Sequence, residues 1–440
     1  MSRRKKLSTE PVSVTIESLS HEGRGVTHIN GKTVFVDETL PGEQVVIQYT
    51  RQHSRFDEAR IVEIIQSSPD RIPAKCEAYT ICGGCSFQHA SPEYQIQHKQ
   101  RILLEQLKHN GGVVPEEVLP PLKGPVWGYR RRARLGVKYV EKKQRVLVGF
   151  REKRSPFIAD IKRCEVLHPI VGVLIEKLQA LISRLSIYRQ LPQIEVAVAD
   201  NTAVLVFRHL QALSDADINL LKEFEHENEI KIYLQPGGIE TAKPLAGDKW
   251  EQLNYLLDGY GITFEFLPTD FIQVNAEINK SMVDQALELL HPTTNDNVLD
   301  LFCGLGNFSL PLAKCCHRVT GVEGDAGLIE RARVNAGNNN IDNIDFYIAN
   351  LAEQDIKADF INREYDRVLL DPPRAGAIEI LECLSFKNTK RVVYVSCNPA
   401  TLARDAGVLV KSKGFRLQKT GVMDMFPHTS HVESIALFTR

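Results

Sequence analysis

NVLDLFCGLGNFS, residues 297–309, carries an apolar run up to Asp300 and then a loop with two glycines, Gly304 and Gly306. The helical stretch SLPLAKCC follows it. The same rhythm repeats downstream: RVTGVE precedes GLIERARVNAG, then come IDFYIA, YDRVLL and RVVYVS, the last leading into ATLARDAGVLV. Apolar strands alternating with helices predict a doubly wound, mostly parallel α/β sheet covered on both faces, with ligands beyond the carboxyl ends of its strands. RLQKTGVMDMF and VESIALFT have no helix between them and predict an antiparallel pair closing one edge.

The glycines let the backbone approach a ligand closely. Nineteen residues past Gly304, Glu323 ends the next strand, where a carboxylate can take both ribose hydroxyls. The third glycine of a dinucleotide loop is replaced by Ser309. An adenosine ligand without a pyrophosphate follows, and S-adenosylmethionine fits better than NAD. Asn350, at the end of IDFYIA, is placed either to meet the adenine or to cap its own loop. YDRVLL ends in Asp371-Pro372-Pro373-Arg374, where two prolines fix the backbone and Asp371 can accept hydrogen bonds from a planar base. Such loops also serve methylation of exocyclic amino groups, so an amino-directed reaction stays open. RVVYVS ends in Ser396-Cys397-Asn398-Pro399, which puts a thiol at the pocket rim beside a proline-started helix. Cys315, Cys316 and Cys383 read instead as small buried hydrophobes.

Upstream, residues 11–65 alternate in five short strands punctuated by Gly and Pro, the pattern of a small OB-like barrel. SSPDRIPAK reads as a linker, so the chain divides into residues 1–66, 67–270 and 271–440. Net charge is −1, but residues 121–170 carry +10 and the rest −11. WGYRRRARLGVKY interleaves aromatics with Arg130, Arg131, Arg132 and Arg134, a pattern that neutralises phosphates and stacks on bases. Nine cysteines of uneven spacing argue for metal or catalytic use in a reducing, cytoplasmic setting rather than for disulfides. Cys76, Cys82 and Cys85 form C-x5-C-x2-C around Gly83 and Gly84, and Cys164 is remote; this three-plus-one spacing favours a [4Fe-4S] cluster over zinc. No apolar run reaches membrane-spanning length, so no membrane partner is expected.

FIQVNAEINK, DLFCGLGNFS, DPPRAG, SCNPATLARD and MFPHTSHVE together resemble the motifs of the S-adenosylmethionine-dependent RNA uracil-C5 methyltransferases, in particular the iron-sulfur branch that acts on 23S ribosomal RNA. The resemblance covers the whole chain and implies a TRAM barrel in front, a central iron-sulfur and RNA-binding domain, and a class I methyltransferase domain behind. It implies Cys397 as nucleophile and Glu433 as base, with Gln273, Phe302, Asn307, Glu323, Asn350 and Asp371 around the methyl donor. The cluster on the four cysteines gains support from it. Alternation in VESIALFT puts Ile435 and Leu437 on the face of Glu433, expected to be buried. Transfer RNA as substrate stays an alternative, as does an RNA-binding module with structural zinc and a degenerate pocket; no obligate protein partner is implied.

Overall fold

The computed structural model describes residues 10–247, 251–353, 356 and 358–440. Its C-terminal sheet has eight strands: β1 Glu117–Val118, β2 Asn297–Leu301, β3 Arg318–Glu323, β4 Ile344–Ile348, β5 Arg367–Leu370, β6 Arg391–Ser396, β7 Arg416–Met423 and β8 Glu433–Thr439. They lie in the order β4-β3-β2-β5-β6-β8-β7-β1. Pairing is parallel from β4 to β6, β8 runs antiparallel between β6 and β7, and β1 adds a parallel edge. The strand order reverses between β2 and β5, so the crevice opens past their carboxyl ends.

Apolar runs are needed here because successive side chains feed opposite cores. Val298, Val393 and Val395 join Ile278, Met282 and Ala286 of the helix Ala276–Leu290 on one face. Leu299, Leu301, Val392 and Tyr394 join Ile96, Leu103, Leu402 and Leu409 on the other. The helix Pro92–Gln106, which the segmentation grouped with residues 67–270, therefore packs on the C-terminal sheet. Ser91 caps its N-terminus through Tyr94 N–H, and Pro92 starts it without wasting a donor.

The front unit is a six-stranded sheet rather than five strands. VSVTIESLS breaks into Val12–Thr15 and Ser18–Leu19, because Ile16 and Glu17 N–H turn away to the carbonyls of Glu43 and Val26, and Gly25–Ile29 adds a further strand. The stretch 67–75 has no regular structure but is tied down: Arg71 pairs with the fully buried carboxylate of Glu43 and donates to the Glu38 carbonyl. Between the two lies a mixed sheet in which Arg132–Val140 pairs with Arg145–Gly149 and Gln193–Val198. Among the described residues no helix is long and apolar enough to cross a membrane.

Candidate active site

Three strand ends converge on one crevice. At the end of β2, Phe302, Gly304 and Gly306 have φ of 63°, 57° and 94°, so every second residue of the loop has positive φ. Gly304 N–H donates to Glu323 Oε2 at 3.2 Å, and Gly324 and Asp325 N–H donate to its Oε1. The acid stands at the end of β3, where the spacing predicts it, and is locked there against the glycine loop. Beneath it, Asp300 is fully buried; Ser309 Oγ donates to its Oδ2, while Oδ1 has no partner. Burial, reinforced by the charges of Asp371 and Glu323, pushes this carboxyl up to about 7.

Asn307 is held away from solvent in a polar knot. It exchanges two hydrogen bonds with the buried Asn279, and Tyr255 O–H donates to its Oδ1 at 3.0 Å. Asn279 lies within FIQVNAEINK but was not singled out there, and Tyr255 carried no sequence signal. Asn350 takes the loop-capping option: its Oδ1 accepts from Ala352 N–H and its amide donates to Glu353. Gln273 Nε2 donates to Asp371 Oδ2 at 3.4 Å, joining the FIQVN stretch to the end of β5. Burial pushes the Asp371 carboxyl up to about 7.

Cys397 and Glu433 meet through strand register. Val395 pairs with Ile435 and Ser396 with Ser434, so Cys397, just past the end of β6, and Glu433, which opens β8, come to the same end of the sheet, close enough for the Glu433 charge to act on the thiol. Glu433 is 6% exposed. Its strand is buried on both faces, not only the one expected. Burial, then the negative charge of Asp371, pushes Glu433 well above the usual carboxylate range, against the pull of Arg374 and Lys99. Cys397 precedes the helix Pro399–Lys411, whose N-cap Asn398 accepts from Ala400 N–H. That helix end favours a thiolate. Burial and the carboxylates of Glu433 and Asp371 outweigh it, and the thiol is pushed up to about 11.

The segment leading to Glu433 is clamped from the cysteine-rich loop. Ser86 and Phe87 N–H both donate to the His428 carbonyl, Ser430 N–H donates to Ser86 Oγ, and Gln95 brackets His428 on two sides. Trp127 stacks on the His428 ring with centroids 3.8 Å apart. Cys76, Cys82, Cys85 and Cys164 line a single pocket with Phe150 and Ile161. Burial, then the other thiols, pushes Cys85 up to about 12; burial likewise raises Cys164 to about 11. Among the described residues no group of three or more His, Cys, Asp or Glu side chains is arranged to hold a metal ion.

The arginine run divides. Arg131 pairs with Asp200, and Arg132 donates to the Pro268 carbonyl and lies near Glu195. Arg130 donates to the Arg132 carbonyl, whereas the side chain of Arg134 is 69% exposed. Of the cysteines read as inert, Cys316 is buried and Cys315 and Cys383 are half-buried.

The profile of the tRNA (Uracil-5-)-methyltransferase family matches residues 93–440, and that of the TRAM domain matches residues 7–62. The 23S rRNA (uracil(1939)-C(5))-methyltransferase RlmD of Alkalilimnicola ehrlichii is 52% identical over 438 residues, covering 100% of this chain and 98% of the relative. That of Methylococcus capsulatus is 49% identical, covering 100% and 99%. The crystal structure of Pyrococcus abyssi tRNA (uracil-54, C5)-methyltransferase in complex with S-adenosyl-L-homocysteine superposes with a TM-score of 0.73 at 25% identity, over 97% of this chain and 100% of that one.

Proposed function

This chain belongs to the tRNA (uracil-5-)-methyltransferase family, and from that premise we propose that it methylates carbon 5 of a uridine in 23S ribosomal RNA. It is an S-adenosylmethionine-dependent RNA uracil-C5 methyltransferase with a TRAM domain in front. The observation that supports the mechanism is the antiparallel register of β6 and β8, which brings a thiol and a buried carboxyl to one end of the sheet.

Carbon 5 of uracil is a poor nucleophile. A thiolate adding to carbon 6 makes an enolate whose carbon 5 is electron-rich, and Cys397 is the thiol placed to do so. Bound S-adenosylmethionine supplies an electrophilic methyl group; Glu323 and the Gly304–Gly306 backbone are fitted to its ribose, with Gln273, Phe302, Asn307, Asn350 and Asp371 completing the site. Glu433 then takes the carbon 5 proton, the electron pair restores the 5,6 double bond, and Cys397 leaves as thiolate. Asp371 and Arg374 stand within electrostatic reach of both groups, where an enolate oxygen needs donors and fixed charge. A cytoplasmic address goes with such a substrate.

Cys76, Cys82, Cys85 and Cys164 are the residues that would hold a [4Fe-4S] cluster. One pocket lined by four thiols, each raised by burial, is a place where only a strong cationic centre can stabilise thiolates. The cluster's part is structural, tying the loop that clamps His428 to the segment around Cys164. Arg134, paired with Glu195 at 3.0 Å but with its side chain 69% exposed, is the arginine of the run most open to phosphate, while Arg130, Arg131 and Arg132 shape the wall beside Gln273; Arg131 N–H donates to the Val274 carbonyl.

RNA carrying 5-fluorouracil tests the reading, because fluorine cannot depart as a proton does. Wild type with methyl donor should form a denaturation-resistant adduct and Cys397→Ala none. Equal adduct from Cys397→Ala removes the nucleophile, and labelled methyl on an exocyclic amine would favour the amino-directed reaction.

A further inference from the structure

Lys99 lies in the middle of the helix Pro92–Gln106, outside every motif that marks the reaction, and is 2% exposed. Isolated buried ammonium groups are costly, so their partners identify their purpose. Nζ donates to Asp424 Oδ1 at 2.7 Å and to the Phe426 carbonyl at 2.9 Å. Asp424 directly follows Met423, and Met423 pairs with Glu433 across β7 and β8. The ammonium therefore ends beside the strand end that bears the proposed base, on the segment that reaches Glu433 through His428 and His431.

The charges facing Glu433 come from every neighbouring element. Cys397 directly follows β6, Asp371 and Arg374 follow β5, Asp424 follows β7, His431 stands two residues before Glu433, and Lys99 comes from the helix. Burial, with nearby cations, pushes the His428 and His431 rings down to about 4, so neither is a cation at neutral pH. Arg374 is exposed and engaged with His431. Burial pulls the Lys99 ammonium down while Asp424 and Glu433 pull it up, and from its buried place it opposes Asp371 at this carboxyl.

We propose that Lys99 is a positioning residue for the release step: its ammonium anchors the 424–431 segment and favours ionisation of the Glu433 carboxyl at the stage where it accepts the carbon 5 proton. This rests on the reading of Glu433 as the base. The step balances without a co-reactant. The C5–H bond breaks to Glu433, its electron pair forms the 5,6 double bond, and the C6–S bond breaks to return the Cys397 thiolate.

The test measures release of methylated RNA from the covalent adduct against pH, using Lys99→Met, Lys99→Gln and Asp424→Asn in the full chain. Lys99→Met should bind S-adenosylhomocysteine and trap 5-fluorouracil RNA as wild type does, yet accumulate adduct on ordinary RNA. Its release profile should move about one pH unit upward, slowing release about tenfold at neutral pH, since each unit is a tenfold loss of carboxylate. Lys99→Gln keeps hydrogen-bond donors without the charge and should show the same displacement, so the proposal stays open to refutation if the Met variant does not fold. Asp424→Asn breaks the same hydrogen bond but leaves the cation, and its profile should not move upward. An unmoved profile in both lysine variants overturns the proposal. So does an equal upward move in Asp424→Asn, or a pH-independent loss shared with 5-fluorouracil trapping. Glu433→Gln separates the two readings: wild-type release there removes the base itself, whereas blocked release there beside normal release in Lys99→Met removes only Lys99.

Discussion

Gly304 and Gly306 both have positive φ, yet they should respond very differently to alanine. At Gly304, φ is 57° and an added Cβ would meet nothing within 4 Å. Its cost is then the left-handed backbone alone, about 1–2 kcal/mol. At Gly306, φ is 94°, well off the left-handed well, and the Cβ would stand 2.4 Å from Leu310 Cδ1. Leu310 is fully buried and begins the short helix whose Ser309 holds Asp300, so it can yield only by disturbing packed neighbours. Overpacking of that kind costs about 1–3 kcal/mol on top of the backbone strain. Gly306→Ala should thus be about 2 kcal/mol less stable than Gly304→Ala, with S-adenosylhomocysteine affinity weakened by about tenfold or more as the loop shifts. Urea unfolding and titration calorimetry on the two variants measure both quantities. Equal stabilities, or a larger affinity loss at Gly304, would refute the reasoning that close approach at Gly306 sets the loop.

Glu433→Gln should accumulate a methylated, Cys397-linked RNA adduct, visible on denaturing gels after quenching; full turnover without adduct would leave a histidine or water as the base. Because the free Cys397 thiol is raised to about 11, its alkylation by iodoacetamide should climb roughly tenfold per pH unit up to that region instead of levelling near 8.5. The same Glu433→Gln change, by removing a negative neighbour, should speed alkylation at pH 8. Anaerobically purified protein should be brown with about four irons per chain, and Cys85→Ser should lose both colour and iron; colourless wild type containing zinc would sink the cluster.

Much of the C-terminal sheet was legible because two-sided burial writes itself into sequence as unbroken apolar strands, and the closing antiparallel pair because no helix separates it. Glu323 was legible from spacing, since a fixed strand-helix-strand path sets its distance from Gly304. The helix Pro92–Gln106 was legible as a helix, but its docking on the C-terminal sheet was not. Its stripe carries Gln95, His98 and Lys99 among the apolar positions, and all three are buried. Periodicity shows a helix with a buried stripe but not which sheet receives it, and polar residues on that stripe find their partners more than 300 positions away at Asp424 and His428. The arginine run misled differently. Composition shows cations, but Arg131 and Arg132 are engaged by Asp200, Glu195 and the Pro268 carbonyl, none of them local in sequence. Asn307 likewise depends on Asn279 and Tyr255, which no short motif joins to it.

The charges at the crevice also order the proposed reaction. Cys397, Glu433 and Asp371 are acids sharing a small volume, opposed by Arg374 and Lys99. Ionising all three before substrate arrives would set three negative charges together, and burial alone already resists one. Coupling between neighbours is mutual: an ionised Glu433 opposes the Cys397 thiolate, so attack is easiest while Glu433 holds its proton. Once sulfur is bonded to carbon 6 it is a neutral thioether, and the opposition from that side ends. Glu433 can then ionise against Lys99 and Arg374 just when a base is wanted at carbon 5. The transient covalent bond serves two purposes in this scheme: it activates the pyrimidine for attack on the methyl group, and it removes a negative charge from the site before the carboxylate is needed. A carboxyl with an ordinary, low pKa would be ionised too early and would hold back the thiolate. The burial of Glu433 at the end of β8 is therefore matched to a base that acts last.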